Sequence, residues 1–101
     1  MRKVVRVESD YNLADISDVS VVVLVDTSKT SVRMTLKDAA VQAGQEYFIR
    51  HHMGGHAVML NTVKGQLIGD EVSGWASSKK GDWIHLISTG DNWLILAEHK
   101  E

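Results

Sequence analysis

Ser20-Val21-Val22-Val23-Leu24-Val25 is the stretch that decides the fold. Both of its alternating sets, Val21/Val23/Val25 and Val22/Leu24, are apolar, and β-branched residues of this kind fit a pleated, half-buried surface. The apolar run is far short of the roughly 20 residues needed to cross a bilayer. It therefore reads as a strand with two dry faces. An antiparallel strand in a monomer usually keeps one face wet. Trp83-Ile84 and Trp93-Leu94-Ile95-Leu96 repeat the pattern. With no covering helix in view, one face of these strands is expected to meet the domain's own core and the other a neighbouring subunit.

Working outward, Lys3 to Val7, Ser31 to Leu36, Glu46 to His51, His56 to Leu60, the short Gln66 to Ile68, Asp82 to Ser88 and Asn92 to Ala97 all read as strands. In Ser31 to Leu36, Val32, Met34 and Leu36 fall on one face and Arg33 and Thr35 on the other, a period of two. Asp26 to Thr30 is a polar link. Met53-Gly54-Gly55 and Thr89-Gly90-Asp91 read as tight reversals between paired strands. The single helix-like stretch, Leu36 to Ala43, is too short to stand alone and reads as one turn bridging strands. All eight glycines lie from residue 44 onward, and short β segments between regular turn signals point to a sandwich or barrel. The expected fold is a single all-β domain over residues 1–101, a compact antiparallel β-sandwich or barrel-like unit.

The 101 residues suffice for one domain, burying roughly 60–65% of the unfolded chain's surface, so self-association would help a thin core. A composition 44% hydrophobic and 24% charged argues against intrinsic disorder. The formal net charge is −2 and no Lys/Arg run exists. The basic stripe that nucleic-acid binding requires is missing, and no nucleic-acid partner is expected. There is no cysteine, which excludes disulfides, thiolate metal sites and Cys nucleophiles. Met1 to Asp10 lacks the apolar core of a signal peptide, so neither secretion by that route nor membrane insertion is expected. The start at Met1 and the end just past the last strand suggest a complete gene product.

The order of several short pieces resembles the small β-structured domains of bacteriophage tail fibres, tailspikes and related virion proteins. Asp10-Tyr11-Asn12-Leu13 looks like an opening Tyr-x-Leu segment, and Val23 to Ser28 like an x-Leu-Val-Asp strand and turn. Val32 to Leu36 with Asp38-Ala39 resembles x-Val-x-Leu-Pro-x-Ala, with Lys37 where such domains often carry Pro. Ala43-Gly44-Gln45 before Tyr47-Phe48-Ile49, then Gly65 to Gly69, then Trp83 to Ser88 with Gly90-Asp91-Asn92-Trp93-Leu94-Ile95 complete the set. The pieces run over roughly residues 8–97. The resemblance implies a homotrimer located on the virion, bound to a capsid or tail protein as a decoration or tail component. A module that touches host surface glycans is the second expectation, and an enzyme is not expected.

Candidate partner-binding residues are Trp75, Val23, Leu24, His51, His52 and His56. Trp75 lies in a polar stretch, Ser73 to Ser78, and suits a surface contact with a subunit, a capsid protein or a glycan, with a core position as the alternative. Trp83 and Trp93 read as core. His51, His52 and His56 sit in HHMGGH, where a hairpin would gather imidazoles that bind zinc or nickel well. No carboxylate or Cys in that turn completes a four-ligand set, so no metal and no cofactor is assigned. His85 reads as packed within the sheet with a ring nitrogen bonded. Asp70-Glu71 could serve glycoside cleavage only if both carboxylates shared a face, and adjacent strand residues do not.

Overall fold

A computed structural model describes residues 2–70 and 74–101. In chain order the strands among them are β1 Lys3–Val7, β2 Tyr11–Asn12, β3 Ser20–Asp26, β4 Val32–Thr35, β5 Glu46–Met53, β6 Val58–Asn61, β7 Trp75–Ser77, β8 Trp83–Ser88 and β9 Trp93–His99, with a single 3-10 turn at Leu13–Asp15. They form a five-stranded sheet, β1-β3-β5-β8-β9, and a four-stranded sheet, β2-β4-β6-β7. The fold is all-β and sandwich-like, with two mixed sheets, and it is not a closed barrel.

The antiparallel expectation needs correction. β1 and β3, β3 and β5, β2 and β4, and β4 and β6 all pair parallel. Only β5–β8, β8–β9 and β6–β7 are antiparallel. The cause is the path of the chain, which steps from one sheet to the other at every link from β1 to β6. Parallel neighbours need a long crossover, and here each crossover is a strand of the opposite sheet. Met53-Gly54-Gly55 is thus a crossing between sheets and not a hairpin. Thr89 to Asn92 does close a hairpin, with the Thr89 N–H on the Asn92 carbonyl at 3.0 Å. Leu36 to Ala43 forms turns without a helix, and Gln66 to Ile68 contributes an isolated bridge from Ile68 to Trp93.

β3 lies between two parallel partners, the usual setting for an uninterrupted apolar run. Its burial alternates strictly, with Val21, Val23 and Val25 at 0–1% exposure and Val22 and Leu24 half-buried. One core joins the sheets. Ile49, Ile84, Leu86 and Trp93 of one sheet and Val32, Met34, Val58 and Leu60 of the other belong to it, together with Leu13, Leu36 and Ile68 from outside the strands. The accessible surface of 5481 Å² is close to the roughly 5,700 Å² of a compact monomer of this mass. The inner faces are therefore sealed within one chain.

Buried amides pin the links. The Gln45 side chain donates to the Asp18 and Val19 carbonyls at 2.9 and 3.0 Å and accepts from Lys37 Nζ at 2.9 Å. Gln66 accepts from Ala39 N at 3.0 Å and donates to Asp38 Oδ1 at 2.7 Å. These bonds hold residues 37–45 against the sandwich without regular structure, because a buried link must find partners for its polar groups.

Candidate functional site

The outer face of the five-stranded sheet is built from the second alternating set of its strands. A row crosses it from edge to edge: Val4 beside Val22, Val22 beside Phe48, Phe48 beside His85, and His85 beside Ala97. Ile87 pairs with Leu94 in the next row, and Leu24, Arg50 and Trp83 line the row on the other side. Val4, Leu94 and Leu96 are 59, 50 and 47% exposed. Trp83, expected in the core, lies instead on this outer face, stacked on Phe48 at 5.3 Å between ring centres and followed by His99 at 6.4 Å. It faces outward because Ile84, its neighbour along β8, takes the inward position. His85 is half-buried here and its Nε2 meets Glu46 Oε1 at 3.0 Å, as expected of a histidine bonded within the sheet.

Among the described residues, no helix or second layer covers that face. Its edges are less inviting. β1 carries Lys3 and Arg6, and β9 departs from regular register opposite His85/Leu86, both devices that discourage strand addition.

The sequence-derived candidates separate into three places. Val23 is fully buried in the domain's own core and is not available to a partner, whereas Leu24 lies on the outer face. Trp75 is 7% exposed. Its indole N–H donates to Glu98 Oε2 at 3.2 Å, and Lys100 Nζ lies 6.0 Å from the ring centre. Of the two readings of Trp75, the surface contact is therefore corrected to the core position. Its polar sequence neighbours disguised this, because Trp75 and Ser77 both turn inward from β7. The histidines do not converge. His51 is fully buried, His52 is half-buried and His56 is exposed, and no metal-holding cluster occurs among the described residues. Glu71, half of the Asp70-Glu71 pair, lies outside the described residues, as does Ser73.

His51 belongs to a buried polar chain that sequence reasoning missed. Its Nδ1 lies 3.0 Å from Ser77 Oγ and its Nε2 lies 2.8 Å from Thr27 Oγ1. Ser77 Oγ donates to Asp82 Oδ2 at 2.7 Å, and the Glu101 N–H donates to Asp82 Oδ1 at 3.0 Å. The Met53 and His56 carbonyls lie 3.2 and 3.1 Å from Thr27 Oγ1. Burial raises the Asp82 carboxyl, but the Ser77 and Glu101 bonds and the Lys100 charge together leave it below the usual carboxylate range. Burial pushes the His51 imidazole below the ordinary histidine value, against the pull of Asp82. Ser77 stands between the acid and the imidazole, and its proton goes to the acid. This order does not activate a serine nucleophile, which needs the imidazole as its base. Nothing in local spacing could reveal the set, since its members come from a sheet crossing, β5, β7 and the turn before β8.

A polar depression of about 300 Å³ opens on the four-stranded sheet, lined by Asp10, Tyr11, Asn12, Arg33 and Thr35. Asp10 Oδ1 accepts from the Arg33 backbone N–H at 2.9 Å and Asn12 Oδ1 from Ala14 N at 3.0 Å. Asn12 and Arg33 are exposed, and Arg33 makes no ion pair among the described residues.

No family model, curated protein or solved structure matches the chain.

Proposed function

We propose that this domain is an assembly module, a homotrimeric β-structured component of a bacteriophage virion that binds a capsid or tail protein and has no catalytic role. One observation carries the self-association: the outer face of the five-stranded sheet presents an apolar row, Val4, Val22 and Phe48, flanked by Trp83 and Leu94, with nothing over it among the described residues. Contiguous apolar surface of this kind marks interaction sites, and the mixture of Phe48, Trp83 and Arg50 there is the composition that interface centres favour. The virion setting rests on the ordered resemblance in sequence. Light scattering on the purified chain tests the first part, with a mass near three times 11.2 kDa expected. A clean monomer at every concentration refutes it. Labelling of intact virions in electron micrographs tests the second.

A receptor-binding module contacting host surface glycans is the other reading, favoured by the depression at Asp10 to Asn12, Arg33 and Thr35. It combines an aromatic ring with planar donors and an acceptor, the chemistry that suits vicinal sugar hydroxyls. Glycan binding abolished by Arg33→Ala supports this reading. A blank glycan array with capsid co-sedimentation supports decoration alone.

A further inference from the structure

We propose that Thr27, His51, Ser77 and Asp82 form a buried proton relay with two fully hydrogen-bonded states, so that the domain accepts a proton at His51 by turning one hydroxyl and not by parting its sheets. The proposal is independent of the assembly reading and follows from counting hydrogens. Each hydroxyl has one proton to donate. With Asp82 ionised, Ser77 commits its proton to Asp82 Oδ2 at 2.7 Å. Ser77 Oγ can then only accept from His51 Nδ1 at 3.0 Å, which requires the Nδ1–H tautomer. Nε2 is left as an acceptor, and the Thr27 hydroxyl 2.8 Å away donates to it. All three side-chain links are satisfied with a neutral imidazole.

Adding a proton at Nε2 reverses only the last link. Nε2–H donates to Thr27 Oγ1, and the Thr27 hydroxyl turns to the His56 carbonyl at 3.1 Å or the Met53 carbonyl at 3.2 Å. The Met53 carbonyl already serves the Thr27 N–H at 2.9 Å, so the His56 carbonyl is the freer acceptor. No heavy atom has to move, and the new imidazolium is linked through Ser77 to the Asp82 carboxylate. The groups facing the ring are Thr27 from the β3–β4 link, Ser77 from β7, Asp82 ahead of β8, and the backbone at Gly54. Lys100 acts on Asp82, and Asp26 and His52 lie beside each other away from the ring. His56 contributes its carbonyl.

The linkage has a definite sign. The His51 value is lowered on folding from 6.5, so the unfolded chain takes up the proton first as pH falls. Stability is therefore lost from about pH 6.5 downward and levels off below the folded value. The second hydrogen-bonded state limits that loss.

Long-range proton–nitrogen NMR of the imidazoles tests this on the whole chain, from about pH 8 to about pH 4, with His51 assigned by its absence in His51→Gln. The expected result is an Nδ1–H ring at neutral pH that becomes doubly protonated with a midpoint below 6.5 while amide dispersion persists. Thr27→Ser should titrate like the parent. Thr27→Val should lower the midpoint by about one pH unit, a tenfold loss of proton affinity, because Nε2–H then loses the Thr27 oxygen that receives it at 2.8 Å. An Nε2–H ring at neutral pH, collapse of amide dispersion together with His51 titration, or an unchanged midpoint in Thr27→Val each overturns the proposal. Should Thr27→Val not fold, the parent's tautomer and titration still decide.

Discussion

Tyr47 brings a hydroxyl into the core with no hydrogen-bond partner, near the Lys37 backbone but not bonded to it. Burial pushes its phenol up to about 12. An unpaired buried hydroxyl is a cost, while the ring earns its place against Trp93 at 5.4 Å. Tyr47→Phe is therefore expected to leave stability unchanged or raise it by up to about 1 kcal/mol in urea unfolding; a clear loss would reveal a hidden partner. Gly54 is the opposite case. Its φ of +92° suits glycine, and a Cβ would overlap the backbone of Thr27 and Ser28. Gly54→Ala should cost about 3 kcal/mol, read as a fall in denaturation midpoint. Asp38 accepts from Lys64 Nζ at 2.8 Å, Gln66 Nε2 at 2.7 Å and Ala40 N at 2.9 Å, with Lys64 the largest influence holding its carboxyl down to about 2 from 3.8. Because the unfolded chain protonates first, this contribution is present above about pH 4 and lost between about pH 4 and about pH 2. In Asp38→Asn that stretch of the stability–pH curve should flatten.

At the scale of the element, β3 separates core from outer face within two adjacent residues. Val23→Lys places a charge at a fully buried position, and burial of an unpaired charge is prohibitive. The variant should fail to fold, seen as loss of the far-ultraviolet β signal. Leu24→Lys keeps the inner face intact and puts the charge beside Arg6 and Arg50 on the outer face. It should fold with a parent-like spectrum and lower the associated mass. Two variants one position apart thus distinguish sealing of the core from sealing of the sheet's back. Equal behaviour in both would remove the interface assignment.

For the whole molecule, the radius of gyration of 12.3 Å is what a compact chain of this length shows, about 13 Å. The domain closes its own core, so the proposed association would be a matter of the outer face and not of an unfinished interior. An assembly that binds only the folded state is stabilised by mass action. The midpoint of thermal unfolding should therefore rise by a few degrees as protomer concentration is raised tenfold, and a flat response would count against a trimer.

The all-β class and most strand positions, though not the short β2 and β7, were legible in the sequence, because the two-residue alternation of Val32-Arg33-Met34-Thr35 and the β-branched run at Ser20 to Val25 are local properties of the chain. The apolar character of the second face of β3 was legible for the same reason. Strand direction was not. Glycine at a reversal looks the same whether the chain returns to its own sheet, as at Gly90, or crosses to the other, as at Gly54. Nor could spacing show that Trp75 turns inward or that Thr27, His51, Ser77 and Asp82 meet, since these depend on which sheet each strand joins. Side-chain period is fixed by the backbone and can be read along a line, whereas pairing partners and buried polar contacts join segments distant in sequence and exist only once the two sheets have closed on each other.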